Sequence, residues 1–196
     1  MVAPSGYSLA FSDEFDRLCI ADTRTVTDNW FSAPAWGAGF GSAAFLQAGS
    51  ARSPFEIARY GGELALRMTM TRDESGKLGS GLISNTFPDG TSRAPQDGDP
   101  YGYYETRLWL PAGKGIWPAF WAIENERLSP TRDHVVEIDV IEQHGSAAAD
   151  RYATNLHDRD WNGTRLAGHS SQPRQHIVGT GVLTSGWHVF GVEVTP

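Results

Sequence analysis

Residues 135–142 read VVEIDVIE, and this stretch places three carboxylates in the most β-branched run of the chain. β-Branched side chains favour extended backbone, so the stretch predicts a strand. Side chains alternate across a strand, so Glu137 and Asp139 share one face, and strict alternation sends Glu142 to the other. One extra residue near Ile141 would form a β-bulge and turn Glu142 back to the face of the other two acids. We therefore expect a bulged strand with one acidic face and one apolar face.

Short alternating segments follow one another along the rest of the chain, and no segment shows a sustained helical period. The composition, with 22 Gly, 11 Pro and 11% aromatic residues, is typical of short strands joined by tight turns. The further predicted strands are 62–71, 101–110, 116–123, 152–157 and 187–194. Turn-forming residues predict loops at 39–49 and 88–100. Strands that follow strands without helices favour an all-β fold, with antiparallel sheets packed face to face.

Length and charge narrow the classes of protein that fit. A chain of 196 residues with 40% hydrophobic composition supports one sizeable core, so we expect a single domain over 1–196. The net charge of -7 and the lack of a Lys/Arg cluster argue against a nucleic-acid partner. No apolar run is long enough to predict a membrane span, and no signal peptide is visible. The single cysteine cannot form an intrachain disulfide, and no Cys/His cluster suggests zinc.

Two carboxyl groups on one face of a strand are what glycoside cleavage requires. An ionised carboxylate attacks the anomeric carbon while a protonated carboxyl donates to the leaving oxygen, and retention requires a separation of roughly 5 to 5.5 Å. Asp139, between the two glutamates, would orient the nucleophile. Close negative charges would raise at least one pKa towards the value that a general acid needs. From the strand pattern alone, the alternative is a merely solvated acidic face.

The acidic stretch and five further segments resemble glycoside hydrolase family 16, the laminarinase and lichenase family. The laminarinase-like branch has the signature E-[apolar]-D-x-x-E, which stands here as EIDVIE at 137–142. The other matching segments, in the family's order, are FSDEF at 11–15, SGLIS at 80–84, YGYYETR at 101–107, GKGIWPAFW at 113–121 and WHVF at 187–190. The resemblance implies a concanavalin-like jelly-roll β-sandwich of two antiparallel sheets. It also implies a retaining mechanism with Glu137 as nucleophile, Asp139 as assisting acid and Glu142 as general acid/base.

Aromatic residues near the acids are candidates for substrate binding. Trp117 and Trp121 lie four apart on a predicted strand and so share a face, with the small Ala119 between them. Core packing is the alternative, and the family's Trp-Pro-Ala-x-Trp element, which lies in the cleft beside the acids, favours sugar stacking. His157 is a candidate to hydrogen-bond near the acid/base, against the alternative of a structural histidine. Candidates for outer subsites, or for packing, are Trp30, Trp36 and Trp161.

The sequence thus predicts a retaining endo-glycoside hydrolase that cleaves internal β-linkages of a polysaccharide by double displacement. The polymer stays open among β-1,3-glucan, mixed β-1,3/1,4-glucan and bacterial exopolysaccharide. The laminarinase-like branch often carries Arg where this chain has Leu82 and Ile83. The alternatives are a transglycosylase with the same residues and a non-catalytic, lectin-like carbohydrate-binding module. We expect a secreted or periplasmic protein, since polymeric glycans are found there, with no catalytic cofactor; the resemblance allows a structural calcium ion.

A further expectation concerns the fold at the end of the chain. The last predicted strand, 187–194, resembles a strand after which the family adds several more, so we expect a jelly roll that lacks its last strands. An unpaired sheet edge would favour self-association or a complementing chain.

Overall fold

The computed structural model describes residues 4–22, 28–34, 41–92, 101–124, 134–145, 149–160 and 172–196. These residues form 13 strands and a 3₁₀ helix at Val182–Thr184, and none of them lies in an α-helix. No helix in the described ranges is long and apolar enough to cross a membrane. The chain divides into two compact units, one made mainly of residues 8–99 and the other of residues 2–7 with 100–196.

The first unit contains seven short strands. They are β1 (Ile20–Ala21), β2 (Trp30–Phe31), β3 (Ala43–Phe45), β4 (Phe55–Tyr60), β5 (Glu63–Met68), β6 (Thr71–Arg72) and β7 (Leu78–Ser80). Strands β4 and β5 form a hairpin whose two loop residues, Gly61 and Gly62, both have positive φ, as a tight hairpin turn requires. Strand β1 pairs with β2 in parallel, and β7 pairs with β3 in parallel and with β6 in antiparallel orientation.

Two sequence predictions for this unit need correction. The predicted strand 62–71 is two strands, because β5 ends at Met68 and β6 begins at Thr71. The predicted loop 39–49 contains β3, which was missed because alanine is a weak indicator of extended structure. In the loop predicted at 88–100, the described residues 88–92 do form a turn, with Gly90 at φ 86°.

The second unit contains the acidic stretch and the other six strands. They are β8 (Gly102–Leu108), β9 (Ala119–Ile123), β10 (His134–Glu142), β11 (Arg151–Asp160), β12 (Arg174–Ile177) and β13 (His188–Val194). Four of them form an antiparallel sheet in the order β12-β11-β10-β9, and β13 pairs antiparallel with β8. Five of the six were predicted. The exception is β12, whose sequence RQHI shows no apolar alternation.

The core of the second unit lies between its two sheets. Val140 and Ile141 on β10 are buried with Phe190 on β13, and Leu110 and Leu183 complete the cluster. The two sheets also meet through Tyr152 on β11, whose ring packs edge-on against Phe190 with centroids 5.4 Å apart. The apolar face of β10 therefore points into a sandwich, which confirms the expected all-β class with antiparallel sheets packed face to face.

The fold makes Ile141 the side chain whose truncation should matter most, because its exposure is 0%. We expect Ile141→Ala to lower the free energy of unfolding by about 2–5 kcal/mol, through lost burial and a residual cavity. Urea denaturation measures the change. The control is Val189→Ala on β13, where 55% of the side chain is exposed and the expected change is within about 0.5 kcal/mol. Equal losses in the two variants would contradict this account of the core.

Candidate active site

Strand β10 carries a β-bulge between Asp139 and Glu142. Asp139 pairs with Asn155 of β11 and Glu142 pairs with Ala153, so three steps along β10 match two along β11. The pairing of β10 with β9 shifts at the same place, between Asp139 and Ile141. The predicted bulge near Ile141 is therefore confirmed.

The bulge brings the three acids to one face of the four-stranded sheet, called here the acidic face. Residues paired directly across antiparallel strands project to the same side. On β9 the partners of Glu137, Asp139 and Glu142 are Ile123, Trp121 and Ala119, and on β11 they are His157, Asn155 and Ala153. The acidic face is thus a strip across three neighbouring strands, with the hydrophobic core behind it.

Glu137 lies beside two basic side chains. The Arg159 guanidinium is 3.4 Å from Glu137 Oε2, and His157 Nε2 is 3.9 Å from Oε1. The side chain of Glu137 is only 19% exposed, so the charge of Arg159 acts on it in a partly desolvated setting. The sequence analysis did not identify Arg159, although alternation along β11 puts it on the same face as His157.

Asp139 is the buried member of the three acids, with 4% exposure. Burial raises its pKa to about 7, helped by the negative charges of Glu142 and Glu137 and by a hydrogen bond with Glu142, and opposed by Arg159. Its Oδ2 atom accepts no hydrogen bond from the described residues and lies 3.0 Å from His157 Nε2. The sequence analysis expected at least one raised pKa, and the structure locates it on Asp139.

His157 contacts Asp139 and Glu137 rather than the neighbourhood of Glu142 that the sequence analysis expected. Its Nε2 atom is 3.0 Å from Asp139 Oδ2 and 2.8 Å from Asn155 Nδ2. A ring nitrogen either accepts from an amide N–H or, once protonated, donates to a carboxylate. The partner of Nε2 therefore depends on where the protons of the Asp139–His157 pair lie.

Glu142 is contacted by Trp117, whose indole Nε1 donates a hydrogen bond to Oε1 over 3.0 Å. Trp117 precedes β9, so the predicted start of that strand at Ile116 is wrong. The segment 116–118 is nevertheless held against the end of β10, because Gln143 N donates to Pro118 O at 3.0 Å and Gly145 N donates to Ile116 O at 2.8 Å. These bonds continue the backbone pairing beyond the two strands and fix the approach of Trp117.

The other tryptophans differ in position. Trp121 is paired with Asp139, so both residues of the predicted pair, Trp117 and Trp121, reach the acidic face. Trp30 belongs to the first unit, where its Nε1 donates to Asp13 and its ring stacks on Phe15, which is a packing arrangement. Two more candidates, Trp36 and Trp161, lie outside the described residues.

One group of side chains in the described ranges is close enough to share a metal ion. Glu137, Asp139 and His157 each offer a ligand atom, and these atoms lie within 4.8 Å of one another. Two carboxylates and an imidazole suit a transition metal better than calcium, which takes six to eight oxygen ligands. The Arg159 cation beside Glu137 opposes the binding of a second cation there. The geometry thus fits a carboxylate reaction centre better than a resident metal.

Comparison with known proteins identifies the class to which this site belongs. The sequence model of glycosyl hydrolases family 16 matches residues 61–196. The chain therefore belongs to glycoside hydrolase family 16, and the family's activity is glycoside hydrolysis.

Individual relatives cover the chain to different extents. Two endo-1,3-1,4-beta-glycanases of Rhizobium meliloti (strain 1021), EglC and ExsH, are each 32% identical over 92 residues, which is 47% of this chain and 17% of each relative. The kappa-carrageenase from Pseudoalteromonas carrageenovora aligns over 93% of this chain and 66% of its own, with a TM-score of 0.54 and 20% identity. The laminarinase catalytic domain from Thermotoga maritima MSB8 is 25% identical over 65% of this chain and 47% of its own, with a TM-score of 0.45. The likeness to the carrageenase confirms the predicted jelly-roll class.

The raised pKa of Asp139 has a consequence for stability. The carboxyl group of Asp139 binds its proton more strongly in the folded than in the unfolded protein. The resulting contribution to folding stability is fully present below about pH 3.8 and is lost as the pH rises through about 7. Asp139→Asn keeps the shape of the side chain and cannot ionise. We expect the variant to gain stability relative to the natural protein as the pH rises across this window, by at most about 4 kcal/mol.

Urea denaturation of the two proteins at several pH values between about 4 and 8 measures this difference. The two proteins share every other titrating group, so the difference reports residue 139 together with its coupling to Glu137 and Glu142. A stability difference that does not change with pH would show that the pKa of Asp139 is not raised.

Proposed function

We propose that this chain is a retaining endo-glycoside hydrolase for internal β-linkages of a polysaccharide, with Glu137 as nucleophile and Glu142 as general acid/base. The observation that carries the assignment is the unequal surroundings of the two glutamates. Glu137 lies beside Arg159 and His157, whereas Glu142 contacts the neutral indole of Trp117 and the carboxyl group of Asp139. A cation favours the ionised carboxylate that a nucleophile must be.

The first step of the proposed reaction forms a covalent intermediate. One carboxylate oxygen of Glu137 bonds to the anomeric carbon as the glycosidic bond breaks, and Glu142 gives its proton to the leaving oxygen. In the second step, Glu142 removes a proton from water, the water oxygen bonds to the anomeric carbon, and the carboxylate of Glu137 leaves. Two displacements at the same carbon return it to its original configuration.

Asp139 lies between the two glutamates and holds a proton there. Its pKa of about 7 keeps it protonated in acidic solution, and a hydrogen bond joins it to Glu142. When Glu137 becomes an ester, one of the negative charges that raise this pKa disappears. The proton held by Asp139 is then less strongly retained while Glu142 must act as a base. This supports the role of assisting acid for Asp139.

The polymer is proposed from the surroundings of the acids and from the relatives. Trp117 is 49% exposed beside Glu142, and Trp121 is partly buried opposite Asp139, so aromatic surface lies along the β9 side of the reaction centre. Stacking on such surface suits sugar rings of an extended chain. The matched relatives are named as endo-1,3-1,4-beta-glycanases, which makes a mixed β-1,3/1,4-linked glycan the first polymer to test. A secreted or periplasmic location follows for an enzyme acting on such polymers.

Two alanine variants test the roles, once a polymer screen has identified the substrate. We expect Glu142→Ala to lose about 10²- to 10⁴-fold of its activity on the polymer and to retain formation of the glycosyl-enzyme from an aryl glycoside with a good leaving group, because that step needs no proton from Glu142. Glu137→Ala should lose activity on both substrates. Azide should restore turnover in Glu137→Ala and give a product of inverted configuration, because the anion takes the place of the nucleophile.

The control is Glu193→Ala, which removes a carboxylate that interacts with Tyr7 in the same unit. It should keep the activity of the natural protein on both substrates. Indistinguishable behaviour of Glu137→Ala and Glu142→Ala on the aryl glycoside would refute the assignment. Products longer than the substrate after addition of an acceptor would indicate transglycosylation by the same residues.

A further inference from the structure

The hydrogen bond between Trp117 and Glu142 indicates which oxygen of the Glu142 carboxyl group carries the catalytic proton. Indole Nε1 is a donor and has no acceptor capacity. It donates to Oε1 of Glu142 over 3.0 Å, so Oε1 is acting as an acceptor. A protonated carboxyl has one hydroxyl oxygen and one carbonyl oxygen. Because the carbonyl oxygen is the stronger acceptor of the two, the indole bond at Oε1 favours the form of protonated Glu142 that carries its proton on Oε2.

The chain around Trp117 is held by contacts with the residues that follow Glu142. The flanking residues Ile116 and Pro118 accept backbone hydrogen bonds from Gly145 and Gln143, which lie three residues and one residue after Glu142. A Cβ atom added at Gly145 would lie 2.3 Å from Gly113 O. The backbone at residue 113 can therefore approach residue 145 this closely only because residue 145 is a glycine. The ring of His144 also packs edge-on against Trp117, with centroids 4.6 Å apart. Donor and acceptor are therefore held by one continuous piece of backbone pairing.

We propose that Trp117 is a positioning residue for the acid/base: its indole N–H fixes the Glu142 carboxyl and directs the catalytic proton to Oε2. The inference rests on the proposed role of Glu142 and adds a chemical function to Trp117 beyond stacking. In the first step, the indole bond leaves Oε2 as the oxygen that protonates the leaving group. In the second step, the same N–H stabilises the carboxylate that accepts the proton from water. One donor thus serves both half-reactions.

Trp117→Phe tests the proposal, because it keeps an aromatic ring and removes the N–H group. We expect kcat on the polymer to fall about tenfold, which corresponds to about 1.4 kcal/mol of transition-state stabilisation. KM for the polymer should stay within about twofold, since the ring still stacks. Formation of the glycosyl-enzyme from an aryl glycoside with a good leaving group should also stay within about twofold, because that step needs no proton.

The matched control is Trp109→Phe, which removes an indole N–H that donates to Thr184 O over 3.0 Å in the same unit. It loses the same kind of hydrogen bond away from the acids, so its ratio of polymer to aryl glycoside activity should equal that of the natural protein. Thermal unfolding of both variants establishes that they are folded under the assay conditions.

The double variant Trp117→Phe with Glu142→Ala decides whether Trp117 acts through Glu142. We expect Trp117→Phe to change polymer turnover by less than about twofold when Glu142 is already absent. An undiminished tenfold effect in that background would overturn the proposal. So would a rise in KM at constant kcat, equal losses in polymer turnover and in formation of the glycosyl-enzyme from the aryl glycoside, or activities of Trp117→Phe that match those of Trp109→Phe. If Glu142→Ala itself shows no preference for the good leaving group, the proposed function fails as well.

Discussion

The bulge in β10 depends on a packing constraint in the core. Val140 and Ile141 are consecutive in sequence, yet both are buried in the same hydrophobic cluster. Regular alternation cannot send two consecutive side chains to one face, so one residue must be left out of the register. A regular strand would move Ile141 out of the core and put the carboxyl of Glu142 into it. The lost burial and the unpaired polar group would each cost roughly 2 kcal/mol or more, so the core maintains the geometry of the acids.

The acidic face has charges of both signs, and their arrangement gives each acid a different environment. Arg159 and His157 approach from β11 and lie at the Glu137 end, whereas Trp117 approaches from the β9 side and lies at the Glu142 end. The buried Asp139 lies between them with a raised pKa. Three carboxyl groups of almost the same chemistry thereby acquire different environments through their neighbours. Neutral Asp139 also limits the repulsion that three adjacent negative charges would produce.

Much of this arrangement was predictable from residues 135–142, because the alternation of acidic and apolar residues is a property of the local sequence. The bulge followed from requiring three acids on one face. The position of Trp117 was not predictable, because it depends on backbone pairing of 116–118 with 143–145 beyond the ends of the strands. The ion pair of Glu137 with Arg159 depends on the register between β10 and β11, which the hydrophobic pattern of either strand alone does not specify. Strand β3 was missed because small residues carry little periodic signal.

The central claim is that the bulge turns Glu142 to the side of Glu137, which gives a pair of carboxyl groups suited to retention. The anomeric configuration of the first product tests this claim most directly. Proton NMR of a reaction with a soluble β-linked glycan, recorded before mutarotation, distinguishes the two outcomes. The account predicts that the β-anomer forms first and then equilibrates. Initial release of the α-anomer would show that water attacks directly, and would contradict the assignment of Glu137 as nucleophile.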